Sequence, residues 1–168
     1  MPNGSSRKRL TFSVTFLFGM IGWVYAGMPW GIFTANFVYL LGITQGILAI
    51  VILLWLLGVK WAGSYVMPAG IVTLSYAPIA ILVILGLVDG QGEVFFWSQS
   101  PSHSSWFTPL FFFARNLGGL IFFYAGVSYT LFRYSKDQTR EPGRLCILLG
   151  LFVLNQTIIA WDFGMNLW

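Results

Sequence analysis

Five long apolar stretches, separated by short connections rich in polar residues, glycine or proline, constrain the fold of this chain more than any other feature. A helix that crosses the hydrocarbon core of a bilayer needs roughly 20 predominantly apolar residues, and it satisfies its own backbone hydrogen bonds there. We therefore predict an all-α integral membrane protein with a single transmembrane domain over residues 1–168. Its five predicted transmembrane helices cover residues 10–26, 30–57, 65–88, 107–132 and 145–165.

The charge content supports this class and excludes others. Only 8% of the residues are charged and 57% are apolar, whereas about a quarter of a typical soluble domain is charged. The single cysteine, Cys146, excludes an internal disulfide and any zinc or iron–sulfur site built from several thiolates of this chain, and we interpret it as inert. The single histidine, His103, excludes a haem held by two histidines of this chain. We therefore expect the chain itself to bind no cofactor.

The basic residues indicate how the helices are oriented. With a cytoplasmic N-terminus, the two outer connections, residues 27–29 and 89–105, contain no Lys or Arg. This distribution follows the positive-inside rule, so we predict that the N-terminus is cytoplasmic and that the C-terminus lies on the outer side. A basic cluster beside an apolar stretch is typical of membrane topology and not of nucleic-acid binding. The basic residues on the predicted inner side are Arg7, Lys8, Arg9, Lys60, Arg133, Lys136, Arg140 and Arg144.

Two charged side chains, Arg115 and Asp162, fall inside predicted helices, where a charge is costly and therefore suggests a function. At a rise of 1.5 Å per residue, Arg115 lies roughly 9 to 13 Å inside the outer end of its helix, and Asp162 lies a few ångströms below the outer boundary. The two side chains could therefore pair. Three interpretations stay open: a structural ion pair, a role in proton or quinone chemistry, and interfacial placement with Arg115 reaching the headgroups.

Other polar and small residues in or near the helices are weaker candidates. Asn155 shares a helical face with Asp162, and we favour interhelical hydrogen bonding for it over a role in a site. Tyr76, just before the helix-kinking Pro78, and His103, in an outer loop, are candidate quinone-side residues. Two pairs of small residues predict close helix packing and not a site, namely Gly42 with Gly46 and Gly118 with Gly119.

Several stretches resemble a known family of membrane subunits. Residues 29–46, PWGIFTANFVYLLGITQG, resemble the NrfD-like family of quinone-interacting subunits, also called the polysulfide reductase membrane-subunit family. Members of that family have a Pro-Trp-Gly entrance, then a helix with aromatic residues and a small-residue turn. The resemblance continues in residues 70–92, which are followed by Phe95-Phe96-Trp97.

Two later stretches are most similar to the ActF-type subunit of alternative complex III. They are WFTPLFFFARNLGGLIFFY, residues 106–124, and IIAWDFGMNLW, residues 158–168. Arg115 matches the proline-aromatic-arginine helix of that subunit. The Trp-Asp-x-x-Met segment is matched by Trp161, Asp162 and Met165.

This resemblance implies a fold and a length. In the family, helices two to five form a four-helix bundle, and full-length members have a second such unit after it. This chain ends at Trp168, where the ActF-type pattern continues into a Pro-His-Trp stretch. We therefore expect it to correspond to the N-terminal half of such a subunit, as a split subunit, a shortened paralogue or part of a longer chain.

The resemblance also implies a function. Family members oxidise quinol or reduce quinone near the outer side of a prokaryotic inner membrane and exchange electrons with an iron–sulfur partner. We therefore expect a membrane subunit of a quinol-linked respiratory electron-transfer complex, acting as scaffold and candidate proton path through Arg115, Asp162 and Asn155, and not as the redox centre. The implied partners are other membrane subunits, lipids and an outer-face redox subunit that carries iron–sulfur or haem centres.

Two alternatives remain open at this point. The first is a structural accessory subunit of a large redox or photosynthetic membrane assembly, because the apolar surface suits docking to other helices. The second is half of a transporter, which the proline inside the third helix favours weakly. A transporter of this kind contains broken helices in an inverted repeat, and the sequence shows no such repeat.

Overall fold

The computed structural model describes residues 30–94, 108–137 and 141–164, and the long elements in these ranges are four α-helices. We number them α1 to α4: α1 is Trp30–Leu56, α2 is Val66–Val94, α3 is Pro109–Asp137 and α4 is Pro142–Gly164. A 3₁₀ turn, Lys60–Tyr65, precedes α2. All four helices are long and apolar enough to cross a membrane. The first predicted helix, residues 10–26, lies outside the described residues.

The observed helix ends differ from the predicted ones where polar residues continue a helix. The prediction ended the third helix at residue 88, but α2 continues to Val94 through Asp89 and Glu93. The prediction ended the fourth helix at residue 132, but α3 continues to Asp137, at the end of the molecule where α1 also ends. Hydropathy marks where the hydrocarbon stops, whereas a helix can continue into the headgroup region because its backbone is already hydrogen-bonded internally. Pro78 lies inside α2, and the helix runs on beyond it.

Local sequence explains several helix ends. Pro109 and Pro142 are the first residues of α3 and α4, where a missing N–H costs nothing and the fixed φ angle suits a helix. After α1, Gly58 adopts a φ of 91°, and the Val59 N–H donates to the Leu54 carbonyl at 3.1 Å. This left-handed glycine ends the helix because residues with a Cβ rarely adopt that conformation.

The helices pack in a closed order. The pairs in contact are α1 with α2, α2 with α3, α3 with α4 and α4 with α1. Their facing sides bury an apolar core, while large apolar side chains also cover the outward sides, as expected for helices surrounded by lipid or by other helices. The core includes Leu41, Leu48, Ile84, Leu120, Phe123, Val127 and Ile159, and the exposed apolar residues include Ile50, Leu82, Phe122 and Leu154.

The two ends of this arrangement differ in chemistry. At one end the Tyr134 hydroxyl donates to the Gly63 carbonyl at 2.9 Å, and the Trp55 and Tyr134 rings make an edge contact with centroids 5.5 Å apart. The hydrogen bond holds the 3₁₀ turn against α3, and the ring contact joins α1 to α3. The opposite end carries Arg115 and Asp162. Among the described basic residues, all except Arg115 lie at the Tyr134 end, namely Lys60, Arg133, Lys136 and Arg144.

The contact between Gly70 and Leu131 gives a test of the packing of α2 against α3. A Cβ at residue 70 would lie 2.5 to 2.9 Å from three side-chain atoms of the buried Leu131, so Gly70→Ala overpacks this contact. We expect it to lower the free energy of unfolding by about 1–3 kcal/mol, measured by denaturant titration in detergent micelles.

The matched control is Gly86→Ala, because no described atom lies within 4 Å of a Cβ at residue 86. It should leave stability unchanged or raise it. Adding Leu131→Ala to Gly70→Ala should recover part of the loss. Equal effects of the two glycine substitutions would contradict the α2–α3 packing.

Candidate functional site

An ion pair between α3 and α4 is the most polar contact in the described interior. The Arg115 Nε–H donates to Asp162 Oδ2 at 2.7 Å, and Arg115 Nη2 donates to the other carboxylate oxygen, Oδ1. Only 8% of the Arg115 side chain and 1% of the Asp162 side chain are exposed. The guanidinium therefore presents two N–H groups to the two oxygens of one carboxylate, which is the strongest geometry for this pair.

Asn116 adds a third donor to the same carboxylate. Its side chain is fully buried, and its Nδ2 group donates to Asp162 Oδ2 at 2.5 Å and to the Phe112 carbonyl at 2.9 Å. Both oxygens of Asp162 thus accept charge-assisted or amide hydrogen bonds from adjacent residues of α3. We call Arg115, Asn116 and Asp162 the ionic cluster.

Aromatic rings surround the ionic cluster. The Phe163 ring lies 6.0 Å from the Phe37 ring and 5.7 Å from the Phe112 ring, measured between centroids, so α1, α3 and α4 each contribute one ring. The Arg115 guanidinium also lies 5.1 Å from the centroid of the Phe111 ring. Such surroundings have a low dielectric constant, which strengthens the attraction inside the pair and makes the loss of either partner expensive.

A second polar group lies near the middle of the helices. Gln45 of α1 is fully buried, and its Oε1 accepts from Asn155 Nδ2 at 3.0 Å and from Gln156 Nε2 at 2.8 Å. Its Nε2 donates to the Tyr124 hydroxyl of α3 at 3.4 Å. Gln45 therefore connects α1 to both α3 and α4. We call Gln45, Tyr124, Asn155 and Gln156 the amide cluster.

The two clusters lie on the same face of α4. Asn155 and Asp162 are seven residues apart, which is two helical turns and about 10 Å of rise. Gly119 lies between the clusters on α3, and a Cβ at that position would be 2.8 Å from Asn155 Oδ1. The absence of a side chain at residue 119 therefore allows Asn155 to reach the backbone of α3.

The structure brings together some of the predicted site residues. Arg115 and Asp162 are in direct contact, which an ion pair requires. Asn155 does not contact that pair through a hydrogen bond but donates one to Gln45 of α1. Tyr76 is buried on α2, and its hydroxyl has no hydrogen-bond partner among the described residues. His103 lies outside the described residues.

The predicted packing glycines lie in different surroundings. No described atom outside the helix itself lies within 4 Å of a Cβ placed at Gly42, Gly46 or Gly118, so close packing at these positions stays a prediction. The spacing of two glycines along a helix allows a second helix to approach closely only where the glycines face that helix. The rotation of the helix about its axis determines which way they face. Gly119 does face one, because Asn155 of α4 lies against it.

Sequence reasoning did not select Asn116 and Tyr124 as site residues, and it assigned Gln45 and Gln156 no partner. Each is a polar side chain inside an apolar helix, which is the signal that selected Arg115 and Asp162. Neutral side chains give a weaker signal because they cost less to bury than a charge. This difference between the cost of burying a charge and that of burying a neutral amide explains why the charged residues were identified and their amide partners were not.

The donors available in the site suit charge stabilisation and hydrogen bonding. The ionic cluster holds one carboxylate against one guanidinium, and the amide cluster is uncharged. Within the described ranges no group of three or more His, Cys, Asp or Glu side chains is placed to hold a metal ion. The chemistry that the described residues offer is therefore the placement of charge and the ordering of hydrogen bonds.

The ion pair can be tested with a double-mutant cycle in detergent micelles. Arg115→Met or Asp162→Leu alone should lower the free energy of unfolding by about 3–5 kcal/mol, because each leaves a buried charge without its partner. The double variant should lose much less than the sum of the two single variants.

A control for this cycle is Arg144→Gln, which removes the ion pair with the exposed side chain of Glu141. Exposed pairs contribute about 1 kcal/mol or less, so stability should change little. Additive effects of the Arg115 and Asp162 substitutions would contradict the coupling between them.

The amide cluster gives a second stability test. Gln45→Leu removes the acceptor for Asn155 and Gln156 and should destabilise the protein by about 1–2 kcal/mol, the upper range for polar contacts between membrane helices. Asn36→Leu is the matched control on α1, because the Asn36 amide donates within its own helix to the Ile32 carbonyl. A smaller loss in Gln45→Leu than in Asn36→Leu would show that Gln45 does not join the helices.

No family model, curated protein or solved structure matches this chain.

Proposed function

We propose that this chain is a membrane subunit of a quinol-linked respiratory electron-transfer complex, similar to alternative complex III. In this proposal the chain acts as a scaffold and supplies a polar path, while the redox centres lie on partner subunits. The observation that carries the proposal is the Arg115–Asp162 pair, which matches the two charged positions of the ActF-type pattern and is buried between α3 and α4.

The geometry of the pair supports the scaffold role. Asp162 accepts from two residues of α3, and Gln45 connects α1 to α3 and α4. In a bilayer, where lipid is as apolar as the side chains, such polar contacts and close packing determine which helices associate. A subunit held together from inside can present its whole outer surface to neighbouring chains.

The continuation of polar groups towards the membrane centre supports the path role. Inward of the ionic cluster lie three buried members of the amide cluster, namely Gln45 of α1, Tyr124 of α3 and Asn155 of α4. A polar interior is costly in hydrocarbon, and polar residues inside membrane helices commonly mark proton relays. The proposed path begins at Asp162 and ends at the amide cluster.

The proposal also includes the finer topology. The chain has five transmembrane helices, with residues 10–26 forming the first and α1 to α4 forming a four-helix bundle of the NrfD-like type. The N-terminus is in the cytoplasm of a prokaryotic cell, and the C-terminus is on the outer side of the inner membrane. The basic residues at the Tyr134 end support this orientation.

A second candidate is a structural accessory subunit of a large membrane assembly. The exposed apolar surface favours it, because large side chains on all four helices point outward, including Tyr39, Ile50, Leu82, Leu110, Phe122 and Ile147. Such a surface suits helices of other subunits as well as lipid. This candidate needs the scaffold role but not the polar path.

The proposal is tested by purifying the tagged full chain from native membranes in mild detergent. We expect an assembly that contains haem or iron–sulfur absorbance and oxidises a quinol. An assembly without quinol oxidation would overturn the proposal and favour the accessory subunit.

The Asp162→Asn variant separates scaffold from path. We expect less assembled complex and, in the complex that does assemble, fewer protons released per quinol oxidised in proteoliposomes. The control is Arg144→Gln, which should match the unsubstituted protein in both measurements. An unchanged proton ratio in Asp162→Asn would remove the path and leave the scaffold.

A further inference from the structure

Two buried amide oxygens, one in the ionic cluster and one in the amide cluster, accept no hydrogen bond from any described residue. They are Asn116 Oδ1 and Asn155 Oδ1, and both residues are at least 98% buried. A buried carbonyl oxygen without a donor costs about 1–3 kcal/mol, and in native proteins such atoms are normally satisfied by protein or by ordered water.

The orientation of both amides follows from their partners. Asn116 Nδ2 faces two acceptors, the Asp162 carboxylate and the Phe112 carbonyl, and Asn155 Nδ2 faces Gln45 Oε1. Rotating the Asn116 amide by 180° would place its oxygen against both acceptors, and rotating the Asn155 amide with Gln45 in place would set its oxygen against Gln45 Oε1. The atoms that remain are therefore carbonyl oxygens, which accept hydrogen bonds and cannot donate them.

The position of Gly119 indicates where a donor can lie. Asn116 and Gly119 are three residues apart and share one face of α3, and the Asn155 oxygen lies against Gly119, 2.8 Å from where a Cβ would be. A glycine here gives a small group access to both helix backbones. A side chain at residue 119 would fill that space.

We propose that ordered water binds between α3 and α4 beside Gly119 and donates hydrogen bonds to the amide oxygens of Asn116 and Asn155. Water suits this site because it is small and carries two hydrogens. Two amide oxygens are too few ligands for a bound sodium ion without further donors, which makes a cation the less favoured occupant. The water joins the ionic cluster to the amide cluster in one hydrogen-bonded chain.

The use of this chain as a proton path rests on the proposed function, but the water site rests only on the two amides and Gly119. Proton movement over this distance requires mobile donors, because neutral Asn and Gln side chains do not ionise near neutral pH. In the proposed path, water therefore carries the proton between the ionic cluster and the amide cluster.

The test uses the full chain in nanodiscs, labelled with ¹⁵N at asparagine, and measures magnetisation transfer from water to the side-chain amides. We expect transfer to the Asn116 and Asn155 side chains, assigned by single Asn→Gln substitutions. We also expect Gly119→Ala to remove this transfer and Gly118→Ala to retain it, because a Cβ at residue 118 has no described neighbour within 4 Å. No transfer in the unsubstituted protein, or equal transfer in the two alanine variants, would overturn the site.

A second arm replaces sodium by choline in the buffer. Unchanged amide shifts support water, whereas shifts of Asn116 and Asn155 that depend on sodium would overturn it in favour of a cation. If Gly119→Ala does not fold, the measurement on the unsubstituted protein still decides the question. The isolated chain suffices for this test, so its outcome is independent of whether a quinol-oxidising complex is found.

Discussion

The Arg115–Asp162 pair is the contact on which the rest of the interior depends, because a single carboxylate buried among phenylalanine rings is stable only with donors around it. Two donors come from Arg115 and the third from Asn116, the next residue on α3. This requirement fixes how α3 and α4 rotate about their axes. Once both rotations are fixed, the directions in which the residues two helical turns further inward face are fixed as well.

The amide cluster follows from that rotation. With Asp162 turned towards α3, Asn155 also faces α3, and only a residue without a side chain at position 119 leaves room for it. The Asn155 amide then reaches Gln45 on α1, and Gln45 reaches Tyr124. A polar contact near one end of the helices is thus linked by helical geometry to a polar contact near their middle.

Much of the fold could be predicted from hydropathy, whereas the contacts in the site could not. Apolar length located α1 to α4 because the cost of polar groups in hydrocarbon sets the minimum length of a spanning helix. The apolar run ends at residue 88, close to the end of the candidate span at Leu87, while α2 stays helical through Asp89 to Glu93. The sequence indicated Arg115 and Asp162 as a candidate pair because a charge inside a membrane helix is costly to bury. The partners of that pair depend on helix rotation, which an almost uniformly apolar helix surface does not encode, so Asn116 was overlooked.

The locked geometry of the ion pair limits what a polar path can do. The Asp162 carboxylate accepts hydrogen bonds from Arg115 and Asn116 at once, so it can bind another donor in place of Arg115 only when the guanidinium moves away. The amides further inward orient hydrogen bonds but do not ionise near neutral pH. Proton movement along this row therefore needs two things: water between the clusters, and an opening of the Arg115–Asp162 pair that lets the carboxylate exchange a guanidinium for that water. A scaffold needs neither, which is why the ratio of protons to electrons separates the two roles.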